Sequence, residues 1–430
     1  MKFFRPAVFA AAASCAIGSA SADDLFSITA VGSGTVTATG DSVLDLYEDA
    51  IETTGAFSSL SGSAVVSTLN YAGVADAVRI TVNAAGTSAT LEFPGLGFAR
   101  VFAGTDANNL ADQIEDFIQD DGAEVYADFL EQIREQSVAA VLDGNPFSTT
   151  AIGARHLFDL YGLGVSGPEW ANPGRFQTSP DSPKRKGPTR TIAWFEVTPS
   201  AGGVSAGPFD GFVGGVDVAG GAFVNKWLGF AAGGSFQYLN VEGTDIGHAV
   251  GHFAVPMKLV PVTQVGGDEE VGTQTSFGLQ LTPFFSGGSG GSLDAAAGGS
   301  FVGGGVAANV HLGLGDRVSV NWGSQIVAYE GIDSIYDDFE FETELSQSIF
   351  STGLVATVFI DQPGGNVFID GGISYFTFLN DAAVDYWISP EVGVGVRIYR
   401  DSRVRASYRP SFGNAGYEAH QGSLNLVFAF

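Results

Sequence analysis

Cysteine is nearly missing from this sequence: 430 residues hold one, Cys15. A chain so poor in thiols has no disulfide framework and no Cys-ligated metal. Basic residues are scarce too, 19 Lys and Arg against 47 Asp and Glu, for a net charge of -28. A surface this negative repels phosphates, which excludes nucleic acid as a partner. Beyond the N-terminus, no apolar run reaches the roughly 18 residues a membrane-spanning helix needs, which excludes a polytopic helical membrane protein. Charged residues make up only 15% of the chain and hydrophobic ones 45%, so the composition of a disordered chain does not apply. What is abundant is glycine, 60 residues, about twice the usual ~7%. With 34 Phe, that excess suits many turn-linked strands better than helices.

The first 22 residues read as a signal peptide. Lys2 and Arg5 form a basic start, Ala7 to Ala13 begin an apolar stretch, and Ala20-Ser21-Ala22 supplies small residues for cleavage before Asp23. The alternative, lipidation at Cys15 after Ala12-Ala13-Ser14, lacks the branched apolar residue expected three positions before the cysteine. Residues 167–188 contain five prolines and the cluster Lys184, Arg185 and Lys186, and read as an extended linker. Before it, residues 23–166 carry 21 acidic and four basic residues. After it, residues 189–430 carry 24 and nine, so the acidity is global and not a tail.

Residues 23–166 read as a small α+β domain. Val78, Ile80 and Val82 alternate with polar neighbours, a turn follows at Ala84 to Thr87, and Ala89, Leu91 and Phe93 alternate again, as in a hairpin. A third strand follows at Phe98 to Phe102. Thr105 or Asp106 can cap a helix with Leu110, Ile114, Phe117 and Ile118 on one face. A second helix is expected over Glu124 to Leu142, with Phe129, Ile133 and Val141 inward, and a short one over Ser42 to Thr53.

From Thr189 onward the pattern changes to period-2 segments of nine to sixteen residues. Twelve are counted: 189–201, 208–219, 226–241, 248–261, 273–286, 298–312, 316–329, 345–360, 366–378, 385–399, 403–412 and 422–430. About ten residues is the length a tilted strand needs to cross a bilayer. In the tenth, Ile388, Pro390, Val392, Val394, Val396 and Ile398 share one face, and Ser389, Glu391, Gly393, Gly395 and Arg397 the other. A soluble sandwich is expected to use shorter strands. The fold class expected is therefore an all-β transmembrane antiparallel β-barrel of about twelve strands, preceded by a small α+β domain. Connections counted back from the C-terminus alternate long and short, with Gly413 to Gln421, Glu330 to Glu344 and Gly287 to Ala297 as the long ones. The alternation fails at Thr263 to Gly272. Parity places Arg397, Arg403, Arg405 and Arg409 on the inward face with Glu391 and Asp370. It also asks for a three-residue loop, Arg400-Asp401-Ser402, so that Arg397 opposes Arg405 or Ser407.

The chain closes on alternating Leu424, Leu426, Phe428 and Phe430. This resembles the terminal signal by which outer-membrane barrels are recognised for assembly. Residues 403–430, with Tyr408 in a strand, Phe412-Gly413, a loop bearing His420, Gly422 and a strand ending in Phe, resemble the last hairpin of an autotransporter translocator domain. The resemblance implies a bacterial outer-membrane location and, as partners, outer-membrane lipid and lipopolysaccharide, the barrel assembly machinery and periplasmic chaperones. It also implies a barrel that anchors or exports its own N-terminal domain. Autotransporters thread the pore with a helix just before the first strand. Residues 167–188 are too rich in proline for one, and Thr149 to Tyr161 is the other candidate, at a distance in sequence. The alternative is an outer-membrane porin or structural barrel whose N-terminal domain stays in the periplasm.

Catalytic chemistry is thin, and no enzyme, cofactor or metal site is expected. Gly40-Asp41-Ser42-Val43 looks like the nucleophile block of certain esterases, yet Ser42 followed by Asp45 suits a helix N-terminus and no Asp-x-x-His pair follows. His248 and His252 have metal-ligand spacing for a helix, but on a strand they stand roughly 13 Å apart. The acidic stretch Asp333 to Glu344 offers hard-cation ligands and otherwise reads as a solvated loop.

Overall fold

The computed structural model describes residues 25–40, 42–118, 122–136, 144–164, 192–206, 209–225, 227–264, 275–292, 295, 297–314, 318–332, 334–336, 339–341, 345–360, 367–399 and 402–429. The expected signal peptide and the proline-rich linker lie outside these residues.

The N-terminal region is built on a six-stranded antiparallel sheet. Its strands are β1 Phe26–Val31, β2 Thr35–Gly40, β3 Val65–Tyr71, β4 Val74–Val82, β5 Ser88–Phe93 and β6 Phe98–Ala103, in the spatial order β2-β1-β3-β4-β5-β6. Helices α1 Val43–Glu52, α2 Ala107–Asp116 and α3 Ala123–Gln136 accompany it. Ser42 caps α1, its Oγ accepting from Asp45 N at 3.4 Å, and Asp106 caps α2 by accepting from Asn109 N at 3.0 Å. α1 ends where Thr53 turns left-handed at φ 51°. An aromatic cluster fills the core: Tyr71 stands 5.0 Å from Phe26 and 5.5 Å from Phe129, which lies 5.0 Å from Phe93. Strands β1, β2 and β3 are additions to the sequence reading. Of the inner stripe expected for α3, Phe129 and Ile133 are buried, and Val141 lies outside the described residues.

The second unit is a closed antiparallel barrel of twelve strands. These are β7 Ile192–Ala206, β8 Phe209–Phe223, β9 Gly229–Val241, β10 Thr244–Ala254 continued by Met257–Gln264, β11 Thr275–Ser292, β12 Ala297–Leu314, β13 Val318–Ile332, β14 Ser346–Phe359, β15 Val367–Phe378, β16 Tyr386–Tyr399, β17 Ser402–Gly413 and β18 Tyr417–Ala429. Each pairs with its neighbours in sequence, and β18 returns to β7 with Tyr417 opposite Ala206 and Ala429 opposite Trp194. The ring closes through β10 and β11, which pairs the strands on both sides as a membrane-spanning sheet requires. Among the described residues, Met257–Gln264 alone extends past β9, joined on that side by one bridge, Leu228 to Met257. Proline explains the break in β10: Pro256 has no N–H to give the ladder, and a further register shift falls at Pro261. Both halves of β10 pair with β11, so the count stays at twelve.

Side chains alternate between the two faces along these strands, with interruptions at the register shifts in β10 and β16. In β16, Val392, Val394 and Ile398 face outward, Ile398 at 66% exposure, while Ser389, Gly393 and Gly395 face the lumen. The same outward face carries Phe236, Phe285 and Trp322, each more than half exposed. Gln237, Gln280, Asn309, Gln325 and Ser351 are buried inside. An apolar wall around a polar interior is the inverse of a soluble protein and the pattern of an outer-membrane barrel.

Three sequence expectations are corrected. Gly413 to Gln421 is not a long loop: β18 starts at Tyr417, which points inward with Ala419, while Glu418 and His420 point outward. His420 bridges Tyr408 and Glu418 there, 2.6 Å from the Tyr408 hydroxyl and 2.8 Å from the Glu418 carboxylate. Gly287 to Ala297 is not a long loop either, because the glycine-rich end of β11 stays in the ladder to Ser292. Finally, Arg397 opposes Arg403, and Tyr399 opposes Ser402. The extra residue sits in a bulge on β16, which preserves the parity of the arginines without a three-residue loop.

Candidate functional site

The lumen is occupied by this chain's own residues. Helix α4 (Thr149–Leu157) runs on into a wider π-type turn at Phe158–Gly162, and Thr149 to Ala154, His156 to Phe158 and Leu160 to Gly162 are all buried. In the stretch TTAIGARHLFDLYG the two charges, Arg155 and Asp159, share one face at i and i+4 while small and aromatic residues cover the rest, so no face is left as a continuous charged, wet side. That suits a helix touched all round by a polar wall, not a helix with one wet face.

Each turn of the segment is bonded to the wall. Thr149 Oγ1 meets His248 Nδ1 on β10 at 2.9 Å. Arg155 donates to Gln237 on β9 at 3.4 Å, and Gln325 on β13 donates to the Ala154 carbonyl at 2.9 Å. His156 lies 3.7 Å from Asp217 on β8. The Tyr161 hydroxyl meets His252 Nε2 at 2.9 Å, and Asn309 on β12 donates to the Gly162 carbonyl at 2.6 Å. His248 and His252 thus hold the helix through separate partners. Two wall glycines admit it: a Cβ on Gly290 would run into Thr149, and one on Gly323 into the Gly162 backbone.

The inward arginines complete the attachment. Arg409 donates twice to Asp159, at 2.8 and 3.0 Å, and also to Glu391. Arg405 forms a two-pronged pair with Asp370, at 2.8 and 2.5 Å, and reaches Glu391 at 2.6 Å. Glu391 is therefore shared by the wall pair and the helix pair. Arg403 is buried within electrostatic range of Glu196 and Asp370, and Arg397 lies across from it. Beside this network remains a polar cavity of about 60 Å³ bordered by Asp217, Glu196 and Arg155, room for a few waters. Sequence reasoning found the wall residues and offered Thr149 to Tyr161 as the pore helix, but did not single out Asp159, His156 or Tyr161 within it, which no strand periodicity marks.

The other sequence candidates sit elsewhere. Leu424, Leu426 and Phe428 lie on the outward face of β18, and Phe430 lies outside the described residues. Ser42 is occupied as a helix cap. Within the acidic stretch, Ser334–Tyr336 and Phe339–Phe341 form a short hairpin, and the remainder is outside the described residues. Among the described residues, no group of three or more His, Asp or Glu is arranged to hold a metal ion.

Direction is the last element of the site. One barrel end holds the start of β7 and the finish of β18; the other carries the turn between β11 and β12 and the connection between β15 and β16. The N-terminal region rests on the second end. Tyr71 OH donates to the Ala295 carbonyl at 2.5 Å, Val384 N to the Gly144 carbonyl at 3.1 Å, and Phe147 packs on Tyr417 at 4.9 Å. α4 starts at that end, beside His248 and Gly290, and finishes near Asn309 and Gly323, toward the first. The chain therefore passes through the lumen from the end where its N-terminal region sits toward the end where β7 begins.

No protein-family model matches the chain, and no curated protein matches its sequence. Among solved structures it is similar to the transport unit of the autotransporter AIDA-I from Escherichia coli, at 10% identity and a TM-score of 0.36 over 62% of this chain and all of that one. The translocator domain of the autotransporter NalP from Neisseria meningitidis is similar at 11% identity and 0.35, over 57% and 90%. An outer membrane channel from Pseudomonas putida F1 is similar at 12% and 0.39, over 58% and 99%. Export barrels and channels both occur among these likenesses, which do not separate the two, and the fold assignment rests on the strand ladder itself.

Proposed function

We propose that this chain is an autotransporter-like protein of the bacterial outer membrane, whose barrel anchors its own N-terminal region at the cell surface after that region has passed through the lumen. The observation that carries this reading is the direction of the lumenal segment. The N-terminal region lies at one barrel mouth, the connecting helix fills the pore, and the first strand starts at the opposite mouth. A barrel finished around a chain in transit would be left in this state. The apolar outer wall requires lipid, since a surface of that extent is unstable in water. Outer-membrane lipid and lipopolysaccharide are then its surroundings, with the barrel assembly machinery and periplasmic chaperones its route there.

The N-terminal region stays attached. Its contacts with the rim and the bonded helix make it a docked unit, and anchoring requires no catalytic group. Protease added to intact cells tests this. The expected result is digestion of residues before 144 with the barrel and its helix protected as one fragment. If those residues resist until the outer membrane is permeabilised, the N-terminal region is periplasmic, and the channel or structural-barrel alternative takes over.

A further inference from the structure

The N-terminal sheet ends in a strand that lacks the usual protections. β2, TVTATG, is an outermost strand and, among the described residues, pairs with β1 alone, in unbroken register from Thr35↔Val31 to Gly40↔Phe26. An edge strand shows a row of unsatisfied N–H and C=O groups, which natural sheets blunt with lysine, proline, a bulge or an inward charge. β2 has none of these four; it is six residues long, with α1 and the turn at Gly55–Leu60 packed beside it. The opposite edge, β6, carries Arg100, whose guanidinium lies 4.3 Å from the Phe117 ring.

Three observations select a second copy of β2 as the partner. The run Thr35-Val36-Thr37-Ala38-Thr39 is nearly symmetric about Thr37. Antiparallel pairing centred there sets Thr37 against its counterpart, Thr35 against Thr39 and Val36 against Ala38, a self-complementary two-fold contact. The required side-chain chemistry already exists across β1 and β2, where Thr29 Oγ1 and Thr37 Oγ1 lie 3.1 Å apart and Ser27 opposes Thr39. Charge narrows the choice further. Two copies repel over most of a region with 21 acidic and four basic residues, and β2, which bears no charge, is the edge across which they approach at least cost.

We propose that the N-terminal regions of two chains associate edge to edge through β2, antiparallel about Thr37, extending each sheet into its partner's. Main-chain hydrogen bonds supply the affinity, and the uncharged threonine row sets the register. This is independent of which way the barrel faces.

The test uses the full chain in detergent. Sedimentation equilibrium should show a concentration-dependent dimer, and Thr37→Lys, which places like charges face to face on the dyad, should weaken it at least tenfold. Thr37→Val, equally suited to a strand, should preserve it. Thr37→Cys should give an interchain disulfide on mild oxidation, whereas Thr35→Cys, whose partner position is Thr39, should give far less. A wild-type chain that stays monomeric overturns the proposal. So does a dimer indifferent to Thr37→Lys, which would locate the contact elsewhere, or equal cross-linking at positions 35 and 37.

Discussion

Glu391 holds the two halves of the lumen together, because it accepts from Arg405, which belongs to the wall pair with Asp370, and from Arg409, which belongs to the helix pair with Asp159. Removing one member of a buried pair costs about 3–5 kcal/mol when the partner is left stranded. Asp159 is about a quarter exposed and Arg409 keeps Glu391, so Asp159→Asn is expected to cost about 1–2 kcal/mol, a figure discounted for solvent. That is enough to loosen the helix without unfolding the barrel. In planar bilayers the wild type should be nearly silent, Asp159→Asn should open intermittently, and Arg409→Gln, which severs the helix from Glu391 as well, should open more often. Equal conductance in all three would show that these pairs do not hold the plug. At the opposite end of the charge balance, burial, together with Glu48, Asp112 and Asp49, raises the Glu52 carboxyl above its ordinary value. The folded state then binds that proton more tightly than the unfolded state, so stability is gained as pH falls through the raised value and lost as it rises. Hydrogen exchange of residues 43–52, corrected for intrinsic rate, should slow from pH 7 to pH 5, and Glu52→Gln should remove part of that dependence.

At the scale of elements, the strands were legible because one physical rule governs all twelve: lipid outside and a polar lumen inside force alternation, and bilayer thickness fixes length. What misled was local. The sequence from Gly287 to Ser292 looks like a turn, yet those glycines remain in β11, and Gly290 is where the wall must approach Thr149. Tyr417 to His420 looks like a loop because its outward residues are polar near the rim. β1 and β2 were missed although Phe26, Ile28 and Ala30 alternate with Ser27 and Thr29, since a threonine-rich pattern carries little hydrophobic contrast. α4 was visible as a helix and as a candidate to thread the pore, but its wall partners could not be read from local sequence, because they lie about sixty to 250 residues away. The terminal strand permits its own prediction. Leu424, Leu426 and Phe428 face outward as a lipid-side row, and one terminal aromatic is worth at most about 3 kcal/mol of burial. Deleting Phe430 should therefore lower the amount of assembled protein while leaving the melting of the assembled fraction nearly unchanged. Normal amounts would count against a terminal assembly signal.

For the whole molecule, the barrel and the helix are separable in principle, because every backbone hydrogen bond of the closed ring is internal. A fragment of residues 189–430 with a signal peptide should still insert and show a heat-modifiable band on unboiled gels. Lacking α4, it should conduct where the full chain does not. The most direct test of the threading itself asks on which side of the membrane two points of one chain lie. The single native cysteine, Cys15, falls in the expected signal peptide, so introduced cysteines can be read alone. Val101→Cys, on the N-terminal sheet at 69% exposure, and Ser182→Cys, between α4 and β7, should be challenged with a membrane-impermeant maleimide on intact cells. Threading predicts labelling at 101 in intact cells and at 182 only after the outer membrane is permeabilised. Labelling of both positions only after permeabilisation, or of 182 in intact cells, would contradict it.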